Sequence, residues 1–165
     1  MLNTQRENKE IVYNILIILV YLTEPMKWDL IEEFKHKEEF IKYYEGYKEV
    51  FAREDFIDLI IDELKECVRK PSQERSTFER DIIELILYLI RNSLSFTSFT
   101  SSSENQIVLV KLFTLYLKSV GVFNAVIYLS QDFNEENKHL CYLFLEIFHL
   151  ITKRIKIREI FYDGD

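Results

Sequence analysis

The chain has 165 residues, 48% hydrophobic side chains and a formal net charge of −7 at pH 7. This length suits one domain, residues 1–165, and the hydrophobic content excludes a disordered chain. Three Gly and two Pro exclude a glycine-rich phosphate loop and leave few turn residues for a many-stranded β fold. The net acidic charge disfavours non-specific binding of nucleic acid. The composition therefore predicts an all-α, soluble, globular domain.

The spacing of apolar residues predicts eight helices, four of them in the first seventy residues. The first runs from about Lys9 to Leu22, and Thr23 can cap a second helix near Pro25–Phe34. A third helix covers about 40–51, although Gly46 weakens its continuity, and a fourth covers about 53–70. The apolar face predicted for the fourth helix consists of Phe56, Leu59, Ile60, Leu64 and Val68.

The fifth helix is predicted to be the central one. Ser76 and Glu79 have the spacing of a capping box at its start, and it runs to Asn92. From Ile82 to Ile90 every residue except Glu84 is apolar or aromatic, so this helix has to be buried on nearly all sides.

Three further helices follow a serine-rich segment, 93–103, which predicts a flexible loop near 95–104. The sixth helix starts at Ser103 and is stopped by Gly121. The seventh is short, 123–129, and Asn134 can cap the eighth, which extends beyond Ile151. Eight helices with short joints form antiparallel pairs, and the pattern fits both a closed bundle and an α-solenoid.

Residues that could do chemistry are few. Cys67 and Cys141 lie in apolar segments without CxxC spacing, which indicates reduced core residues. His36, His139 and His149 each follow a Glu by three or four residues, which is too few ligands for a metal site. We therefore predict no catalytic residues, cofactor or metal. An acidic series, predicted to be a solvated helix face, consists of Asp55, Asp58, Asp62 and Glu66.

The longest apolar run, residues 11–22, spans only about 18 Å as a helix, against the ~30 Å of a bilayer core. No membrane segment or export signal is therefore predicted.

Three residues of the fifth helix are predicted to have structural roles. Arg91 complements the negative end of the helix dipole, and Asn92 satisfies backbone groups of the adjoining segment. Glu84 pairs with Arg80 or with a neighbouring helix, because an unpaired buried carboxylate is costly.

The chain has one basic cluster, close to its end. Four cations within six residues could contact DNA phosphates or an acidic partner, or could form a solvated end of the last helix. The cluster consists of Lys153, Arg154, Lys156 and Arg158.

Five segments, in order, resemble the N-terminal region of the Timeless family. Residues 82–94, Ile-Ile-Glu-Leu-Ile-Leu-Tyr-Leu-Ile-Arg-Asn-Ser-Leu, resemble its Leu-Ile-Glu-Arg-Ile-Leu…Val-Arg-Asn-Ile-Leu motif. Residues 19–25 resemble its Leu-Val-Asn-Leu-Thr-x-Pro, and 47–52 its Tyr-Lys-x-Ala-Phe-Ala. Residues 120–129 resemble its Ser-Gly-Leu-x-Asp-Leu-Leu-Leu-Phe-Leu, and 143–148 its Val-Leu-Glu-Ile-Val. The likeness covers residues 10–152.

The resemblance implies an α-solenoid of HEAT- or armadillo-like helical pairs. It also implies a non-catalytic nuclear scaffold of the replication fork, active in fork protection, fork pausing and checkpoint signalling. Its partners would be a Timeless-interacting protein, the replicative helicase and duplex DNA. Three alternatives remain open from the sequence: an armadillo/HEAT-type adaptor unrelated to replication, a helical-bundle enzyme, and a protein whose main activity is DNA binding.

Overall fold

The computed structural model describes residues 2–25, 53–95, 117–119, 121–131 and 137–154, and several single residues or pairs between 36 and 50. This part of the chain is helical, as the composition predicts, and it contains no strand. Its longer elements are α1 (Leu2–Thr23), α2 (Glu54–Val68), α3 (Thr77–Leu94), α4 (Val122–Gln131) and α5 (Cys141–Arg154), with short 3-10 helices at Ser72–Glu74 and Lys138–Leu140.

Helix α3 lies at the centre, because α1, α2 and α5 all pack against it. The prediction of a central fifth helix is confirmed. Its apolar side chains project in three directions, and all but a few percent of their surface is buried. The buried apolar residues of α3 are Ile82, Ile83, Ile86, Leu87, Leu89, Ile90 and Leu94.

Contacts along α3 fix the directions of its neighbours. Helix α1 runs parallel to it, since Tyr13 meets Phe78 near the start of α3 and Val20 meets Asn92 near its end. Helix α5 also runs parallel to α3, since Glu84 of α3 pairs with His139 just before α5 and Arg91, seven residues later, pairs with Glu146 within α5.

Helices α2 and α4 pack on another side of α3. The start of α2 lies beside the end of α3, where Phe56 and Ile90 line the same small cleft, so α2 runs antiparallel to α3. Helix α4 contacts both α2 and α5. Among the described helices, α1, α2 and α5 thus pack around α3, and α4 packs against α2 and α5.

Several predicted bounds are corrected. Helix α1 starts at Leu2 rather than Lys9, α3 continues two residues beyond Asn92, and α4 spans Val122–Gln131 instead of 123–129. The α-helical part of the last helix starts at Cys141, after the 3-10 turn.

The prediction of the apolar face of α2 is wrong at one residue, Leu59. Leu59 is 71% exposed, whereas Ile57 and Ile61, which the prediction left out, are buried. The core-facing side of α2 is therefore rotated by part of a turn relative to the predicted one.

Gly121 ends the helical residues 117–119, as predicted. Its φ of 81° lies in the left-handed region that favours glycine, and its N–H donates to the carbonyl of Lys118.

The predicted second helix, most of the predicted sixth, the serine-rich loop and the Asn134 cap lie outside the described residues. Gly46 is helical, in agreement with the predicted third helix.

Candidate functional site

A buried amide joins the end of α3 to the end of α1. Asn92 has no exposed surface, and its Nδ2 donates to the carbonyl of Val20 at 3.1 Å and to Oγ1 of Thr23 at 3.2 Å. The hydroxyl of Thr23, also fully buried, donates to the carbonyl of Leu19 at 2.8 Å. Asn92 was predicted to satisfy backbone groups of the adjoining segment. It does bond to a backbone carbonyl, but the predicted location is wrong, because this carbonyl lies 72 residues earlier in the chain.

Helix α3 is joined to α5 by polar contacts near the surface. Oε2 of Glu84 lies 3.1 Å from Nε2 of His139, which belongs to the 3-10 helix before α5. Nε of Arg91 lies 3.5 Å from Oε2 of Glu146, and its guanidinium carbon lies 5.5 Å from the ring centre of Tyr88. Glu84 thus pairs with a neighbouring helix, one of the two partners that the sequence left open.

The start of α3 is fixed by the capping box predicted from Ser76 and Glu79. The Glu79 carboxylate accepts from the backbone N–H of Ser76, and the Ser76 hydroxyl accepts from the N–H of Glu79. Lys70 donates to the same carboxylate. Burial opposes ionisation of Glu79, but the hydrogen bonds from Lys70 and Ser76 outweigh it and lower its pKa to about 2.

Two residues that join the end of α2 to the start of α3, Lys70 and Arg75, were not predicted from the sequence. Arg75 is buried, and its guanidinium donates to the backbone carbonyls of Lys70 and Val68 at the end of α2. Both residues lie in the short connection between α2 and α3 of the structure, where apolar periodicity gives no signal. An arginine close to an unsatisfied helix C-terminus was the signal available.

A cavity of about 180 Å³ lies between the start of α3, the end of α4 and the start of α5. Its lining includes the buried residues Ile83, Leu129 and Phe144 and the more exposed pair of Glu84 and His139. Small-molecule sites commonly have about 300–1,000 Å³, so this volume suits a single side chain.

Neither a metal site nor a disulfide is found in the described residues. No group of three or more His, Cys, Asp or Glu side chains there could hold a metal ion. Cys67 is a buried free thiol whose pKa is raised to about 11 by burial, and Cys141 is free and half-buried. Among the described helices, none is long and apolar enough to cross a membrane.

The basic cluster lies largely outside the described residues. Lys153 is exposed in the last turn of α5, and Arg154 is the last residue of that helix. The side chains of Arg154, Lys156 and Arg158 lie outside the described part of the chain, so the structure does not bring the four cations together or separate them.

These observations define a helical protein in which polar contacts of a central helix hold its neighbours in place. In a comparison with protein-family models, the model described as Timeless protein matches residues 1–165. The chain therefore belongs to the Timeless family. No curated protein and no solved structure matches it.

Proposed function

We propose that this chain is a non-catalytic scaffold of the DNA replication fork, active in fork protection, fork pausing and checkpoint signalling. The observation that carries the proposal is the family match over the whole chain, because that family acts at replication forks. The work of such a scaffold is done in the nucleus with a Timeless-interacting protein and the replicative helicase.

The proposed architecture is an α-solenoid. Two features support it: α1, α3 and α5 run parallel to one another, and α2 and α4 pack against each other beside them. Stacked helical pairs give this arrangement, because equivalent helices of successive pairs lie side by side in the same direction. An up-and-down closed bundle gives antiparallel neighbours instead.

Within this architecture, Glu84, Arg91 and Asn92 have a structural function. Asn92 holds α1 on one side of α3, and Glu84 and Arg91 hold α5 on the other. The three residues of the family-like motif thus fix the order of these three helices, and their function is to shape the binding surfaces.

The test is affinity purification of the tagged chain from nuclear extract of its own organism, with nuclease treatment and mass spectrometry. We expect helicase subunits or a Timeless-interacting protein to be recovered. A tagged helical-repeat protein of similar size and net charge is the control bait. If the folded chain recovers neither partner, this segment is not the fork-binding part. Recovery of other protein complexes alone would favour the second candidate, an adaptor unrelated to replication.

Duplex DNA is a proposed further partner, through the basic cluster. The exposure of Lys153 at the end of α5 supports this interaction. Alanine at Lys153, Arg154, Lys156 and Arg158 should lower DNA affinity and make the salt dependence shallower, by about one unit for each phosphate that is no longer neutralised. Replacement of Arg53, Lys65 and Arg69, exposed cations on another part of the surface, is the control. Equal DNA binding by both variants would exclude the cluster.

A further inference from the structure

Helix α1 has an apolar stripe on the side that does not face α3. Ile11 is 56% exposed, Ile15 49%, Ile18 56% and Leu22 37%. Their spacing of four, three and four residues places all four side chains in one line along the helix. We call these four residues the α1 stripe. On the same helix, Leu16 and Thr23 are turned towards the core and are buried.

The α1 stripe is unusual for a surface, because the helix contains no charged residue from position 11 to position 23. An exposed helix face usually has charged side chains, which keep it in water. Contiguous apolar patches on protein surfaces mark sites of interaction. Tyr21, 73% exposed beside the stripe, adds an aromatic side chain of the kind enriched in interfaces.

The four-three-four spacing of the α1 stripe is the same whether it is counted from Ile11 or from Leu22. If a second α1 lies antiparallel on the first, Ile11 faces Leu22 of the other copy and Ile15 faces Ile18, and both pairings occur twice. A two-fold interface requires this self-complementarity, since the same patch is used by both subunits. The steps of four and three are also those of side chains that interdigitate between two helices.

We propose that the α1 stripe is the contact between two copies of this chain, packed antiparallel about a two-fold axis between Ile15 and Ile18. Complete burial of the α1 stripe and Tyr21 in both copies gives at most about 1,000 Å², the lower bound for a specific interface. The dimer is therefore weak and reversible, with a Kd in the micromolar range or above.

Net charge gives the dimer a salt dependence of its own. Each copy has a formal charge of −7, whereas the stripe has no charged side chain and so makes no ion pair across the interface. Salt screens the repulsion between the copies and leaves the apolar contact in place. The Kd should therefore fall several-fold between 0.05 M and 0.5 M salt, the reverse of what a contact made of ion pairs would show.

Sedimentation equilibrium from 5 to 500 µM tests the proposal. We expect the full chain to dimerise and Ile15→Glu and Ile18→Glu to remain monomeric. The matched control is Leu145→Glu, on α5, where the native Leu is 59% exposed. A wild-type chain that is monomeric at 500 µM would overturn the proposal, and so would a dimer that both stripe variants retain. Circular dichroism at each concentration establishes that the variants are folded.

Cross-linking tests the orientation with variants that keep the stripe apolar. In a Cys141→Ser background, Ile15→Cys and Ile18→Cys proteins are mixed and oxidised. The antiparallel arrangement predicts that the mixed disulfide exceeds both homodisulfides, because position 15 faces position 18 of the other copy. An excess of the two homodisulfides would indicate parallel helices and overturn the proposed antiparallel packing. No cross-link, together with a monomeric chain, would mean that another segment or another protein covers the stripe.

Discussion

At the scale of single residues, Asn92 shows how a polar side chain is kept in an apolar core. A buried amide without partners gives up its hydrogen bonds to water, at a cost of about 1–3 kcal/mol. Here Nδ2 has two acceptors at the end of α1, although Oδ1 has no hydrogen-bond partner among the described residues. The bonds of Nδ2 can form only when α1 and α3 lie in the observed register. Asn92 therefore specifies one arrangement where apolar packing alone would tolerate several.

The first prediction concerns the hydroxyl of Thr23. Thr23→Val keeps the shape of the side chain but removes an acceptor of Asn92 and the donor to Leu19. The free energy of unfolding should fall by about 1–3 kcal/mol, measured by urea denaturation. Thr152→Val is the matched control, because Thr152 makes the same type of bond to the carbonyl four residues earlier, on an exposed face. An equal decrease in both variants would show that the link to Asn92 adds nothing.

A second prediction follows from Glu79. Its pKa is about 4.5 in the unfolded chain and about 2 in the folded one, so the stability it provides is present above pH 4.5 and is lost as the pH falls towards 2. Glu79→Gln should lower the free energy of unfolding at pH 7 by about 1–2 kcal/mol, a value reduced for the partial exposure of Lys70. The difference from the wild type should shrink as the solution approaches pH 2.

The measurement is urea denaturation of both proteins from pH 7 down to pH 2. Glu66→Gln is the control, since Glu66 makes an exposed pair with Arg69 and should change stability by less than about 0.5 kcal/mol. A Glu79→Gln deficit that stays constant over this pH range would show that the ionised carboxylate is not its source.

At the scale of elements, α3 determines the stability of the domain, because it packs against three other helices. Ile86 has no exposed surface, so Ile86→Ala should destabilise the protein by about 2–5 kcal/mol in thermal or urea unfolding. Leu145→Ala, at a site that is 59% exposed, should change stability by less than about 1 kcal/mol. Similar destabilisation by the two variants would mean that α3 is not at the centre of the core.

Periodicity predicted α3 well and α2 less well, for a physical reason. The apolar run of α3 is buried in several directions, so its position in the fold does not depend on choosing one face. Helix α2 has one apolar side and an extra leucine, and spacing alone could not tell that Leu59 faces water while Ile57 faces the core. The capping box was predictable, because it needs only two residues at a fixed local spacing.

The interactions that assemble the candidate site were less predictable, since they join distant parts of the chain. Asn92 and Val20 are 72 residues apart, and Glu84 and His139 are 55 apart. The sequence indicated that Glu84 and Asn92 needed partners, as polar residues in an apolar helix. It contained no rule for choosing those partners before the order of the helices was known.

At the scale of the whole molecule, the arrangement of the helices determines how far a local loss of stability spreads. In a solenoid, each helical pair touches only its neighbours, so a weakened end opens on its own. In a closed bundle, the first and last helices share one core and open together. Helices α1 and α5 lie on different sides of α3, and their ties to it are separate.

The last prediction uses Thr23→Val to tell these architectures apart by amide hydrogen exchange. Since the solenoid confines the effect of the missing hydroxyl to the α1 side, protection should decrease in residues 11–23 and remain within about twofold of wild type in residues 141–153. Glu146→Gln, which weakens the pair with Arg91, should do the reverse. Equal decreases at both ends, in either variant, would show that the helices open as one unit and would favour the closed bundle.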